Sequence, residues 1–570
     1  MAISLTSLLL SLPQQWPPVL LALVTVLSLL LLTRRKGLKL KLPPGPATVP
    51  LLGNLHQLGP LPHRALRDLA RVHGPVMQLQ LGKAPTVVLS SAQAAWEALK
   101  THDLDCCTRP VSAGTRRLTY DLKNVAFAPY GAYWREVRKL LTVELLSAQR
   151  VKAAWYARHE QVEKLISTLN RAEGKPVALD EHILSLSDGI IGTVAFGNIY
   201  GGDKFSQNNN FQDALDDVME MLSSSGSSAE DLFPIAVGRL VDRLTGFIAR
   251  RERIFLQLDA FFEMVIEQHL DPNRVLPENG GDLIDVLIDL WKKPRGAFIF
   301  TKDHVKAIIF LDAFFEMVIE QHLDPNRVLP ENGGDLIDVL IDLWKKPRGA
   351  FIFTKDHVKA IIFSTFVAGI DTNAATIVWA MSELVRKPRV LKKVQNSIRD
   401  VVGDNKSVQS DDISKLSYLR MVVKETLRLH PPGPLLLPRE TMRHIQIGGY
   451  DVPAKTKIYV NAWAIGRDPV SWPDDPEEFN PDRFEANEID FKGEHPELMP
   501  FGTGRRICPG MSMAVATIEF TLANLLFNFQ WTLPEGTTAD DVNMEEEGRL
   551  IFHRKTPLVL VPKPYHQCLE

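Results

Sequence analysis

Phe501-Gly502-Thr503-Gly504-Arg505-Arg506-Ile507-Cys508-Pro509-Gly510 decides how this 570-residue chain is read. The stretch holds one of only four cysteines, where a loop meets an apolar run from Met511 to about Phe529. That run (Ala514, Val515, Ile518, Leu522, Leu525, Leu526) has the character of a long buried helix. A helix N-terminus carries partial positive charge and free N–H groups, so it is expected to lower a thiol pKa. The thiolate is the form that binds iron. Gly504 and Gly510 permit tight turns and close approach to a flat ligand. Arg506 is placed to neutralise a carboxylate near the sulfur.

Composition leaves room for that chemistry. The chain is 45% hydrophobic and 23% charged, as globular proteins are. A net charge of −3 gives no sign of a nucleic-acid partner. Cys106, Cys107, Cys508 and Cys568 show no C-x-x-C pairing, which argues against zinc or a disulfide framework. Such cysteine usage suits a reducing, cytosol-facing location.

Val19 to Leu32 is almost wholly apolar and is followed by Arg34, Arg35, Lys36, Lys39 and Lys41. The run spans roughly 21 Å, short of a ~30 Å bilayer core, but flanking residues lengthen it and the basic ones snorkel. A cleaved signal peptide competes with this reading, but no small-x-small cleavage site is present. Residues 1–33 are therefore read as one N-terminal transmembrane signal anchor, with the body on the cytosolic side. Residues 34–50, containing Pro43-Pro44-Gly45-Pro46, are read as a basic and proline-rich hinge, stiff and extended. Residues 51–570 are read as the folded body.

Within the body, Val76–Leu81 alternates and Thr86–Leu89 follows a Gly82-Lys83-Ala84-Pro85 turn, which predicts a β-hairpin. Ser91 to Lys100 reads as a capped helix. Trp134 and Arg138 stand four apart and share one helix face. Thr354 to Arg386 predicts one long helix, N-capped by Thr354 and stopped before Pro388. Midway lies Ala368-Gly369-Ile370-Asp371-Thr372, where an interior glycine costs about 1 kcal/mol against alanine. The bland reading is a tolerated glycine at a bend. The functional one is a small-residue gap beside an acid and an alcohol. Glu425 and Arg428 face the same way on a helix from Tyr418 to His430. Arg483 in Pro481-Asp482-Arg483-Phe484 supplies a second arginine.

Leu258–Phe310 and Leu311–Phe363 are identical over 53 residues. Natural repeats diverge and usually number three or more. Removing one 53-residue copy from 570 leaves 517. We read a recent duplication or an error in assembling the gene. Copy two continues into the long helix, so its Thr354–Phe363 is expected to complete that helix.

Taken together, F-x-x-G-x-R-x-C-x-G, W-x-x-x-R, A-G-x-D-T, E-x-x-R and P-x-R-F resemble, in order, the motifs of cytochrome P-450 monooxygenases. Pro-Pro-Gly-Pro, Asp-Leu-Asp-Cys-Cys and the cysteine loop resemble the plant microsomal clan of specialised metabolism. The resemblance implies a mainly α, haem-thiolate fold with a smaller β-rich part. It implies haem b (iron protoporphyrin IX) with Cys508 as axial metal ligand. Trp134, Arg138, Arg439, Phe501, Arg506 and Gly510 would join Cys508 in cofactor binding, with Trp134, Arg138 and Arg439 near the propionates. Asp371 and Thr372 would be catalytic, relaying protons to dioxygen. Glu425, Arg428 and Arg483 would form a structural network.

Electrons would come from NADPH through a membrane-bound NADPH-cytochrome P-450 reductase, docked on Arg135, Lys139 and Arg505. That places the protein in the endoplasmic reticulum membrane, among lipid, with a small-molecule substrate and O2. Runs such as Tyr120–Val125, Asp188–Tyr200 and Asn461–Pro469 are similar to those of oxime monooxygenases. The first-choice substrate is therefore a small aromatic, amino-acid-derived aldoxime of the 4-hydroxyphenylacetaldehyde oxime type. Pocket walls would include Ala368, Ile370, Leu435, Leu436, Leu550 and Ile551, with the Thr108–Ala128 loop. Two alternatives stay open from the sequence: an oxygen-independent haem-thiolate dehydratase or isomerase, and a protein inactivated by the duplication.

Overall fold

A computed structural model describes residues 40–112, 124–172, 174–196, 228–233, 235–250, 355–403, 407–548 and 550–565, with single residues at 116, 122, 253 and 405. The anchor expected at Val19–Leu32, the Thr354 cap and all of the duplicated block before Lys355 lie outside the described residues. Part of the Thr108–Ala128 loop does too.

The chain enters along the surface of the body and is bonded to it at once. The Gln78 and Asp451 N–H groups donate to the Pro44 and Lys41 carbonyls, each at 2.8 Å. The Asn54 amide reaches the Ala47 carbonyl at 3.1 Å. A Cβ on Gly45 would lie 2.0 Å from the Gln78 carbonyl oxygen, so only glycine allows this approach. The proline run, read from the sequence as a stiff and extended hinge, is thus bonded to the body from Lys41 onward. Its carbonyls, unable to join a helix, accept bonds from the adjacent sheet.

Helix α1 (Pro62–His73) starts on proline and ends at Gly74. Strands β1 (Val76–Leu81) and β2 (Ala84–Leu89) form the expected hairpin, in register Met77↔Val88. Strand β2 begins earlier than its sequence suggested: Ala84 and Pro85 pair with Leu81 and Gln80. Pro85 has no N–H to donate, and the parallel pairing of β2 to a later strand starts only at Thr86.

Ser91 caps α2 (Ala92–Trp96), which loosens into a π-turn over Glu97–Thr101, before the short α3 (Asp103–Cys106). Helices α4 (Ala132–Leu140), α5 (Trp155–Arg171) and α6 (Leu179–Phe196) follow, with β3 (Val177–Ala178) between the last two. The long α7 runs Lys355–Arg386, so the second duplicated copy supplies its first turns. Next come α8 (Pro388–Val402) and α9 (Ser417–Leu429), the latter ended by His430 and two prolines.

Strands β4 (Arg439–Glu440), β5 (Ile445–Ile447), β6 (Tyr450–Val452) and β7 (Lys457–Val460) precede the cysteine loop. Helix α10 (Met511–Asn528) follows that loop, then β8 (Phe529–Thr532), β9 (Glu546–Gly548), β10 (Phe552–Arg554) and β11 (Val559–Pro564). The main sheet has the order β1-β2-β7-β4, and a second runs β3-β11-β8.

The core gathers round α10. Its Leu522, Leu525 and Leu526 are buried with Ile377, Met381 and Leu384 of α7, Leu427 of α9, and Leu165 and Leu169 of α5. Burying each such side chain stabilises the fold by ~1.5–3 kcal/mol. Helix α10 is long and apolar enough to cross a membrane, but 67% of it is buried inside the protein. It is a core helix, and its N-terminus presents Cys508.

Candidate active site

The cysteine loop is shaped by two left-handed glycines, Gly502 and Gly504, both at φ 69°. Cys508 N–H donates to the Phe501 carbonyl at 2.9 Å, closing the loop. Phe501 meets Phe491 edge-on at 5.6 Å. Gly510 adopts φ −88°, which any residue can take, so no turn there requires glycine. A Cβ on Gly510 would lie 3.9 Å from the Cys508 sulfur.

The N–H groups of Gly510 and Met511 point at that sulfur and favour thiolate, as does Arg138, but burial outweighs them and pushes the thiol up. This corrects the expectation from the helix end. Desolvation penalises the charged form more than the partial charges of the helix repay.

The loop is flanked by guanidinium groups. Arg506 was expected to meet a carboxylate. Instead it donates to three carbonyls, of Cys107 (2.7 Å), Val125 (3.1 Å) and Ala128 (2.6 Å). It also lies 4.2 Å over the Trp134 ring. Being buried, its fork of donors must be satisfied, and backbone oxygens do so. The Trp134 indole N–H likewise donates to the Val125 carbonyl at 3.0 Å rather than toward the sulfur. Arg439 binds Asp103 at 3.1 Å and the Thr503 carbonyl at 2.7 Å. Arg109, which the sequence did not single out, is buried on the carbonyls of Ala126, Leu437 and Pro438.

Burial drives all these guanidinium pKa values down, that of Arg506 to about 9; Arg506 and Arg439 lower Arg109 further, and Arg439 and Arg138 lower Arg506. Arg138 is also lowered by burial, and among the described residues its one opposing charge is the Cys508 thiolate. Among the described residues, Arg109, Arg138, Arg439, Arg505 and Arg506 lie around the loop, and Asp103 binds two of them, Arg439 and Arg505. That donor set fits a flat ligand bearing two carboxylates and a thiolate-bound metal, as haem b is.

On α7, the Thr372 hydroxyl donates to the Ala368 carbonyl at 2.7 Å. Ala368 is exposed, Ile370 buried, and Asp371 and Thr372 half-buried. Gly369 also serves packing between helices. A Cβ there would meet Ile191 Cδ1 of α6 at 2.7 Å, so the missing side chain lets two helices pack closely. Helix α7 packs against both α6 and α10.

Of the expected pocket walls, Leu436 rides over the cysteine loop, its Cδ1 being 3.8 Å from where a Gly502 Cβ would lie. It holds an unusual φ of 50° to do so. Leu435 turns away and packs with the Met77 and Leu79 cluster under the sheet, because successive residues of the turn face opposite ways. Ile551 packs on Ala375 and Trp379, one and two turns beyond Thr372 on α7, and its neighbour Leu550 is half-buried. Glu425, fully buried, takes two bonds from Arg428 (2.7 and 2.8 Å) and one from Arg483 (2.9 Å).

The cytochrome P450 family model matches residues 43–310 and again 299–561, the first match ending on the last residue of copy one. The solved structures agree: a zebra fish cytochrome P450 with progesterone superposes with TM-score 0.66 at 22% identity, over 88% of this chain and 99% of that one. The chain belongs to the cytochrome P450 family and is a monooxygenase of it. The 4-hydroxyphenylacetaldehyde oxime monooxygenase of Sorghum bicolor is 54% identical over 97% of both chains. The 2-methylbutanal oxime monooxygenase of Manihot esculenta is 44% identical over 98% of this chain and 99% of its own.

Proposed function

We propose that this enzyme oxidises a small aldoxime derived from an amino acid, an aromatic one as first choice. The supporting observation is near-full-length similarity to two oxime monooxygenases, at 54% and 44% identity. Cys508 would hold the haem iron as thiolate. Arg138 would bind one propionate and Arg439 the other, while Trp134, Arg506, Phe501 and Gly510 support and shape the loop. When bound, the haem supplies dioxygen activation, which electron donation from a thiolate favours.

Thr372, oriented by its bond to Ala368, would hold a proton at Oγ1, with Asp371 beside it as the acid that replenishes it. Ala368, Ile370, Leu436, Leu550 and Ile551 would present apolar or small surface to the substrate, as a largely hydrophobic pocket requires. Glu425, Arg428 and Arg483 serve the fold. The exposed Arg135, Lys139 and Arg505 would steer an acidic reductase that carries electrons from NADPH. Val19–Leu32 would anchor the enzyme in the endoplasmic reticulum membrane.

The test is NADPH-dependent conversion of 4-hydroxyphenylacetaldehyde oxime by membranes holding this chain and a plant reductase. Turnover of a terpenoid with no aldoxime converted would overturn the substrate class. A carbon monoxide difference spectrum of the full chain, beside a version lacking residues 311–363, tests whether the duplication disables haem binding.

A further inference from the structure

We propose that Asp103 is a positioning residue for the cysteine loop and sets the charge that the haem edge meets. The inference rests on Cys508 as the iron ligand.

The geometry is that of a clamp. Asp103 accepts the Arg505 backbone N–H, at 3.3 Å and 3.1 Å to its two oxygens. Its Oδ2 also lies 3.3 Å from Arg505 Nε. Through Oδ1 it binds Arg439, whose other nitrogen holds the Thr503 carbonyl. Asp103 thus grips the residue after Gly504 directly and the residue before it through Arg439. Four residues on, past the end of α3, the Cys107 carbonyl grips Arg506. Thr503 and Arg505 are thus held by their backbone and Arg506 by its side chain, all just upstream of Cys508 and all from Asp103–Cys107 or the Arg439 it binds.

Gly504 makes the approach possible. A Cβ there would lie 2.2 Å from the Leu99 carbonyl oxygen and 2.7 Å from Asp103 Oδ1.

Among the described residues, Asp103 is the carboxylate bonded to the arginines at the loop, Arg439 and Arg505. Neutralising it would leave Arg439 uncompensated beside the haem. Extra positive potential favours the reduced, more negative iron, so the midpoint potential should rise.

The test compares three variants of the full-length holoenzyme. Asp103→Asn should raise the ferric/ferrous midpoint potential and speed haem transfer to apomyoglobin on the order of tenfold, the cost of a lost charged hydrogen bond. Asp103→Glu, which keeps the charge, should keep the potential near that of the parent. Asp105→Asn is the control. It lies in the same short helix, but its carboxylate binds the exposed Arg443 at 2.9 Å, and it should leave potential and haem transfer unchanged.

Unchanged potential and haem transfer in Asp103→Asn would overturn the proposal. So would an equal shift in Asp105→Asn. If Asp103→Asn takes up no haem, Asp103→Glu decides: haem bound at parental potential supports the charge role, and failure to bind haem refutes it. Cys508→Ser tests the underlying reading separately. If it keeps the thiolate-type carbon monoxide band, the ligand assignment fails, whatever Asp103 does.

Discussion

Glu425 and Asp103 each face two arginine side chains, yet their surroundings differ. Around Glu425, two guanidiniums share one fully buried carboxylate, and the donors left over go to the carbonyls of Gly466, Asp474, Asp475, Pro476 and Glu478. Around the cysteine loop, Asp103 holds Arg439 and Arg505, while Arg109, Arg138 and Arg506 have no carboxylate bonded to them among the described residues, and burial lowers the pKa values of Arg109, Arg138, Arg439 and Arg506. The first region is closed on itself and serves the fold. The second carries surplus positive charge toward a thiol, which is how a protein prepares for an anionic ligand. The same residue type locks one place and receives a ligand in the other, and only the count of opposing charge separates them.

Substitutions can break that contrast. The largest effect should come from Cys508→Ser, with complete loss of the thiolate-type carbon monoxide band and of turnover. Survival of both would leave the cationic surroundings with no thiolate to serve.

Glu425→Gln should come next. It strands two buried guanidiniums and should destabilise the protein by ~3–5 kcal/mol, read as a fall in thermal midpoint and soluble yield. A loss below ~1 kcal/mol would mean that the lock resembles an ordinary surface pair.

Arg138→Gln should do the reverse. Haem retention should fall on the order of tenfold, while the apoprotein's unfolding free energy moves by less than ~0.5 kcal/mol. Equal damage to fold and ligand would erase the distinction between the regions.

Thr372→Ala lies outside both regions and sets the lower bound. Haem content and stability should hold within ~1 kcal/mol, while oxygen uptake uncouples from product and peroxide appears. Unchanged coupling would remove Thr372 from proton delivery.

What the sequence disclosed follows from distance along the chain. Glu425 and Arg428 are one helical turn apart, so their pairing was legible from spacing, as were the ends of α9 at its prolines and of α7 before Pro388. Cys508 stood out because a rare residue sits at a fixed offset from an apolar helix. Asp103 and Arg505 are 402 positions apart, and no local pattern reports such a contact. The packing role of Gly369 was hidden for the same reason: the Ile191 it accommodates belongs to another helix. The thiol pKa was misjudged because burial is a tertiary property, whereas the helix end is a local one. The docked proline run was missed because its partners, Gln78 and Asp451, are strand residues remote in sequence.

That docking has a consequence for how the enzyme would meet its partner. With Lys41 already bonded to the body, only the eight residues Thr33 to Leu40 separate it from the proposed anchor. Fully stretched they reach about 28 Å. On so short a leash the enzyme could neither tumble freely nor drift from the bilayer. Its search for a reductase would be confined to two dimensions, and collision rate would follow the crowding of the membrane surface rather than concentration in the cytosol.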